Sequence, residues 1–207
     1  MTAEAVPMRA PSAVIHPRWV RVTHWINAVA MLVMIGSGWE IYNASPLPLF
    51  PFQLPKSITL GGWLAGALAW HFAAMWLLVI NGMVYVTLGL ATGRFRAKLF
   101  PIRPRELIAD LGAALRGRLS HDDLSIYNAM QKLLYLGVLC AGVVIVLSGL
   151  SIWKPIQLQE LTALFGGYDA ARYVHFFAMS AIVAFLVVHV ILALLVPKSL
   201  RAMIVGK

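Results

Sequence analysis

The sequence predicts an all-α membrane protein, a bundle of four spanning helices with both termini in the cytoplasm. Three observations lead there. Of the 207 residues 60% are hydrophobic and the mean hydropathy is +0.79, a composition typical of membrane proteins. Four apolar runs, at about 20–42, 62–90, 125–152 and 172–196, are each long enough to cross roughly 30 Å of hydrocarbon at about 1.5 Å per residue. The basic residues are also one-sided. All but three of the 17 Lys and Arg lie in the N-terminal flank, in the connection 91–124 with its approach to the third run, or in the C-terminal tail. Only Lys56, Lys154 and Arg172 lie on the opposite side. Cytoplasmic segments carry the excess of Lys and Arg, so these three basic segments are expected inside. The length suits a single bundle spanning residues 1–207, and no internal repeat interrupts it.

The N-terminal stretch "MTAEAVPMRAPSAVIHPRWVRVTH" has no compact apolar core ahead of a small-residue cleavage site, so no cleavable signal is expected. The first helix should run from about Val20 to Tyr42. In the outer loop "NASPLPLFPFQLPKSIT" the prolines at 46, 48, 51 and 55 rule out regular helix. Its many apolar residues predict contact with lipid headgroups or with another protein. The second helix should run from about Gly62 to Leu90. In the connection that follows, "PRELIADLGAALRGRL" places Leu107, Ile108, Leu111 and Leu115 on one face, as in a short helix lying in the membrane interface. A docking helix for a cytoplasmic partner is the alternative. The third helix covers Leu133–Ile152, with a start as early as Ser125. It holds Cys140, the sole cysteine, which excludes disulfides and thiolate metal sites and reads as a small buried side chain. The fourth runs from Arg172 to Val196. A formal charge of +9 often signals nucleic-acid binding, but here the charges flank apolar runs and point to the membrane surface.

The residues that carry chemistry are histidines. Six occur. His16 and His121 lie in polar cytoplasmic segments and read as solvated. His24, His71, His175 and His189 lie in or at the ends of helices one, two and four. His175 and His189, fourteen residues apart, share a helix face at depths differing by about 21 Å. His24 lies near the cytoplasmic end and His71 in the outer half, so depth pairs His24 with His189 and His71 with His175. Crossed pairing would separate partners by nearly the whole bilayer, whereas two nitrogens on one metal lie only about 4 Å apart. Ionisable residues inside a membrane mark functional sites. No carboxylate or thiolate accompanies these imidazoles. Haem therefore fits better than a bare ion, because it needs only axial nitrogens and a flat apolar slot. Gly36, Gly38, Gly82 and Gly89 would let such a plate approach, and serve close helix packing equally well.

The segments "RVTHWINAVAMLVMIGSG", "AWHFAAMWLLVINGMVY", "LSGLSIWKP" and "ARYVHFFAMSAIVAFLVVHV" resemble the bacterial cytochrome b561 and nickel–iron hydrogenase b-type cytochrome superfamily. That superfamily includes the membrane subunits of formate dehydrogenase and of thiosulfate reductase-like molybdoenzymes. The resemblance covers residue 18 to about 200. It implies two haems b stacked across the bundle, the cytoplasmic one on His24 and His189 and the outer one on His71 and His175. It further implies electron transfer across the bacterial inner membrane between the quinone pool and a periplasmic redox subunit, with a molybdopterin oxidoreductase suggested by "YNAMQKLLYLGV". Propionates need cations: Arg172 and Lys154 are candidates outside, Arg18 and Arg21 inside. Asn128 and Gln131, near the cytoplasmic surface, are candidates for quinone binding, while Asn81 is more readily explained by interhelical hydrogen bonding. Two alternatives stay open. One is a self-sufficient oxidoreductase of the same fold that oxidises superoxide at the outer face, drawn in by Lys56, Lys154 and Arg172, and reduces ubiquinone. The other is a haem-free transporter or anchor with the histidines as a proton relay.

Overall fold

The computed structural model describes residues 14–116 and 127–206, apart from the side chains of residues 114 and 115. Its elements, in chain order, are α1 (Arg18–Ala44), a 3-10 turn (Lys56–Ile58), α2 (Leu64–Ala91), α3 (Arg94–Leu99), α4 (Pro104–Leu115), α5 (Ala129–Trp153), α6 (Gln159–Leu164), α7 (Tyr168–Leu195) and α8 (Pro197–Val205). No strand occurs among the described residues. By length and composition α1, α2, α5 and α7 can each cross a membrane. They match the four expected spans, extended by up to four residues at some ends and shorter at others. A start of the third helix at Ser125, and His121, lie outside the described residues.

The spanning helices pack as two tight pairs, α1 with α2 and α5 with α7. Asn81 on α2 ties the first pair. Its amide donates to the Thr23 carbonyl at 2.8 Å and to Asn27 Oδ1 at 2.7 Å, the interhelical bonding expected of it. Between the pairs sits a small core of Ile145, Ala178 and Ile182, packed by Met31, Ala141 and Met179. Ile182 lies midway in α7 between His175 and His189, so this apolar cluster divides the interior into two levels.

Both described ends of the chain meet on one face. Ile15 N–H donates to the Gly206 carbonyl at 2.9 Å, and Arg21 Nη1 donates to the Ile204 carbonyl at 2.6 Å. Here α3, α4 and α8 gather against the spans, as contacts of α3 with α2 and α5, α4 with α5, and α8 with α7 show. The short helices α3, α6 and α8 were not anticipated from periodicity, since a turn or two of helix carries too little of it. The helix α4 does match the expected one. Asp110 Oδ2 accepts from Ala129 N–H at 2.8 Å, pinning α4 to the start of α5, while Ile108 and Leu111 remain exposed, as an interfacial helix requires.

Three sequence expectations are corrected. His16 is buried rather than solvated, at 8% exposure. Arg94 Nη2 donates to its Nδ1 at 3.3 Å, because the N-terminal segment folds under the bundle to reach Gly206. Cys140 is exposed on the outside of α5, not buried, on a helix whose outward surface is apolar. The first outer loop does not simply present its apolar residues outward. Leu47 is buried, the Tyr42 hydroxyl donates to the Phe50 carbonyl, and Phe50 stacks on Phe176 with ring centroids 5.4 Å apart. Leu49 and Phe52 remain exposed. The second outer connection closes on Gly166 and Gly167, whose φ values of +88° and +99° suit residues without a Cβ and turn the chain from α6 into α7.

Candidate functional site

The two histidine levels expected from helix arithmetic are present. On the face where the chain ends meet, His24 of α1 and His189 of α7 have ring centroids 6.0 Å apart, with planes at 63°. A five-membered ring with bonds of about 1.33 Å has its atoms about 1.1 Å from the centre. Two imidazoles sharing one metal through bonds of about 2 Å would then have centroids about 6.3 Å apart. The observed spacing lies within the reach of two imidazoles that would hold one metal between them. Phe185 stacks on His189 at 5.6 Å, and Trp25 meets His24 edge-on at 5.3 Å.

At the other level lie His71 of α2 and, near it, His175 of α7. Each ring is held by a serine of the neighbouring helix. Ser37 Oγ of α1 lies 3.0 Å from His71 Nδ1, and Ser148 Oγ of α5 lies 3.1 Å from His175 Nδ1. Neither serine is exposed. A hydroxyl has one hydrogen to give. Ser37 donates it to the Val33 carbonyl at 2.6 Å, and Ser148 to the Val144 carbonyl at 2.7 Å. Toward the imidazoles these hydroxyls therefore accept, and both Nδ1 atoms carry the proton. His175 gives an independent check, for its Nδ1 also lies 3.0 Å from the Ile145 carbonyl, which can only accept. With Nδ1 protonated, Nε2 holds the lone pair, which is the tautomer a metal requires.

The residue after each serine is glycine. A Cβ on Gly38 would stand 3.4 Å from His71 Cε1, and one on Gly149 would stand 3.1 Å from His175 Cε1. Of the glycines singled out in the sequence, Gly38 thus faces an imidazole. Gly36 receives Leu60, Gly89 receives the Phe95 ring, and Gly82 has open space. Ser37, Ser148 and Gly149 were missed, although "GSG" and "LSGLS" repeat a Ser–Gly pair that could have raised the question.

Among the described residues no three His, Cys, Asp or Glu side chains converge as they would around a caged ion. The donor set is one of paired imidazoles at two depths, with Nε2 free of protein hydrogen bonds at the His71–His175 level among the described residues and ring centroids 6.0 Å apart at the His24–His189 level. That set suits a cofactor which brings its own equatorial ligands. The sequence model of the prokaryotic cytochrome b561 family matches residues 15–206.

The chain belongs to the prokaryotic cytochrome b561 family. A relative in Azospira oryzae, named "Putative protein-methionine-sulfoxide reductase subunit YedZ1", is 56% identical over 192 residues, which cover 93% of this chain and 96% of the relative. The chain is therefore a membrane electron-transfer subunit of the haem b class, a multi-pass protein of the bacterial inner membrane.

The other candidate residues stand as follows. Arg21, one turn before His24, has a buried Nε with no hydrogen-bond partner among the described residues, an orphaned donor that suits an anion such as a propionate. Arg172 donates to the Ser45 carbonyl at 2.6 Å and to Ser45 Oγ at 3.1 Å, and lies 3.9 Å from Asp169. Lys154 Nζ lies 4.9 Å from the centre of the Trp153 ring. Both cations thus have contacts within the protein itself. Asn128 and Gln131 form a reciprocal cap on α5: Asn128 Oδ1 accepts from Gln131 N–H at 2.7 Å, and Gln131 Oε1 accepts from Asn128 N–H at 3.1 Å. The pair forms a capping box at the start of α5.

Proposed function

We propose that this cytochrome carries electrons between the quinone pool on the cytoplasmic side and a periplasmic redox partner, with two haems b held at its two histidine levels. The observation that carries the reading is the pair of depth-matched imidazole sets, one on each side of the apolar divider around Ile182. His24 and His189 are assigned to the inner haem, His71 and His175 to the outer. When bound, haem b supplies one-electron exchange at each level. The chain supplies oriented imidazoles, an apolar interior and fixed spacing along α7, whose unbroken helix sets the two ligands about 21 Å apart.

Arg21 is assigned to an inner propionate through its orphaned Nε; Arg172 and Lys154 are the outer cations within reach of that end. Quinone exchange is placed at the inner mouth near Asn128 and Gln131. Their carbonyl oxygens are committed to the cap, so their amide N–H groups are the donors that would meet a quinone carbonyl. The face where the chain ends meet is placed in the cytoplasm on the strength of its basic excess. The name of the Azospira relative supports a partner that reduces methionine sulfoxide in proteins, which we place on the periplasmic side. Such a partner consumes electrons, so the direction proposed is from quinol outward.

The test is haem stoichiometry combined with ligand substitution. Purified protein should hold two haems per chain with low-spin spectra. His24→Ala and His189→Ala should remove one spectral component, and His71→Ala and His175→Ala the other. If His24→Ala and His175→Ala instead removed one common component, the assignment would be wrong.

A further inference from the structure

The two Ser–Gly pairs do more than fill space. Each serine lies one residue before the glycine against which an imidazole rests, on a different helix from that imidazole. Each donates its own hydrogen backward within its helix and turns a lone pair to Nδ1. The arrangement occurs twice, on α1 toward α2 and on α5 toward α7. At the inner level it is absent: among the described residues neither His24 nor His189 has a hydrogen-bond partner, and both contact aromatic rings instead.

An acceptor on Nδ1–H draws that proton away from the ring and makes Nε2 a stronger donor to a metal. A stronger σ-donor stabilises the ferric over the ferrous ion, because the ferric ion carries the larger charge. The effect depends on burial. Ser37 and Ser148 are fully buried, where a hydrogen bond is not diluted by competing water. The hydroxyls are themselves polarised, since each is donating to a carbonyl while it accepts.

We propose that Ser37 and Ser148 are positioning residues that act beside the backbone carbonyl already accepting from His175 Nδ1, strengthen the hydrogen bonding of the Nδ1 protons of His71 and His175, and lower the midpoint potential of the outer haem, leaving the inner one untouched. This rests on the reading above that His71 and His175 hold a haem. It differs from a packing role in what it makes measurable. A packing role moves stability; an acceptor on Nδ1 moves the ferric–ferrous equilibrium.

The experiment is a spectroelectrochemical titration of the purified, haem-loaded full chain, resolving the two components, for Ser37→Ala, Ser148→Ala and the double variant. The outer component is identified beforehand as the one lost in His71→Ala. The expected result is a rise in its potential in each single variant. The double variant should show the larger rise, approaching a tenfold shift in the ferric-to-ferrous ratio, which is about 59 mV for one electron. The inner component should stay within error of the wild type. Unchanged potentials in variants that keep both haems would overturn the inference while leaving the ligand assignment intact. Failure of His71→Ala to remove a component would instead overturn the assignment on which it rests. Should the alanine variants shed the outer haem, Ser→Cys keeps the size with a weak acceptor and Ser→Thr keeps the hydroxyl. Retention in the threonine variants with loss or a raised potential in the cysteine variants supports the proposal. Loss from all of them makes the positions packing sites and overturns it.

Discussion

Adding a single methyl group at Gly149 should loosen the outer site, whereas the same change at Gly38 should not. A Cβ on Gly149 would stand 3.1 Å from His175 Cε1 and 3.4 Å from its Nδ1. Carbon atoms prefer separations of about 3.5–4.0 Å, so the ring must retreat from α5 by about 0.5 Å. Both acceptors of Nδ1 are on α5, the Ile145 carbonyl at 3.0 Å and Ser148 Oγ at 3.1 Å. A retreat of that size stretches both bonds to about 3.5 Å, beyond useful length. The single Nδ1–H is shared by both acceptors, and leaving that buried donor unsatisfied costs about 2 kcal/mol, which outweighs the roughly 1 kcal/mol that alanine gains over glycine in a helix. The net cost is about 1 kcal/mol, or about fivefold in the equilibrium. On Gly38 the new methyl would meet His71 Cε1 at 3.4 Å and Nδ1 at 3.8 Å, which is ordinary contact, so the helix gain should prevail. The assay is loss of the outer spectral component to excess apomyoglobin. Gly149→Ala should lose it severalfold faster than the wild type, and Gly38→Ala no faster. Equal loss from the two variants, or faster loss from Gly38→Ala, would refute the reasoning.

Three further expectations follow from the fold. Asn81→Leu removes both bonds that tie α2 to Thr23 and Asn27, the neighbours of His24; it should lower stability by about 1–2 kcal/mol, seen as a lower Tm in detergent, and an unchanged Tm would count against the clamp. His16 outside the spans is held neutral, its pKa lowered from 6.5 to about 4 by burial first and then by Arg94, with His24, Lys98 and Arg21 adding to it. The unfolded chain therefore binds more protons between those two values. The contribution of His16 is complete above about pH 6.5 and declines as pH falls toward 4, by up to about 3 kcal/mol; His16→Gln should flatten the pH dependence of Tm in that window, and an unaltered slope would show that other groups set it. Reporter fusions after Gly206 should behave as cytoplasmic, and activity of an export-dependent reporter there would reverse the orientation.

The spans were legible because lipid imposes a length and a composition that few other roles demand, and because 3.6 residues per turn converts the interval between His175 and His189 directly into a shared face at two depths. The same arithmetic sorted His24 and His71, since both lie on long uninterrupted helices. Interactions that depend on how segments return on one another were not legible. His16 is polar and lies near a terminus, and only the meeting of residue 15 with Gly206 buries it. The apolar outer loop could have faced lipid or a partner; the position of Phe176 decides that part of it folds inward. Asn128 and Gln131 carry the same amides whether or not they cap a helix, and only the start of α5 at Ala129 shows that their carbonyl oxygens form a cap. Ser37 and Ser148 look like ordinary small residues of membrane helices. Their bearing on the histidines comes from α1 packing on α2 and α5 on α7, contacts between segments 34 and 27 residues apart. Sequence determined which imidazoles could meet, because depth is a local property of a helix. Tertiary packing decided which nitrogen each outer imidazole presents, because the tautomer is fixed by an atom on another helix.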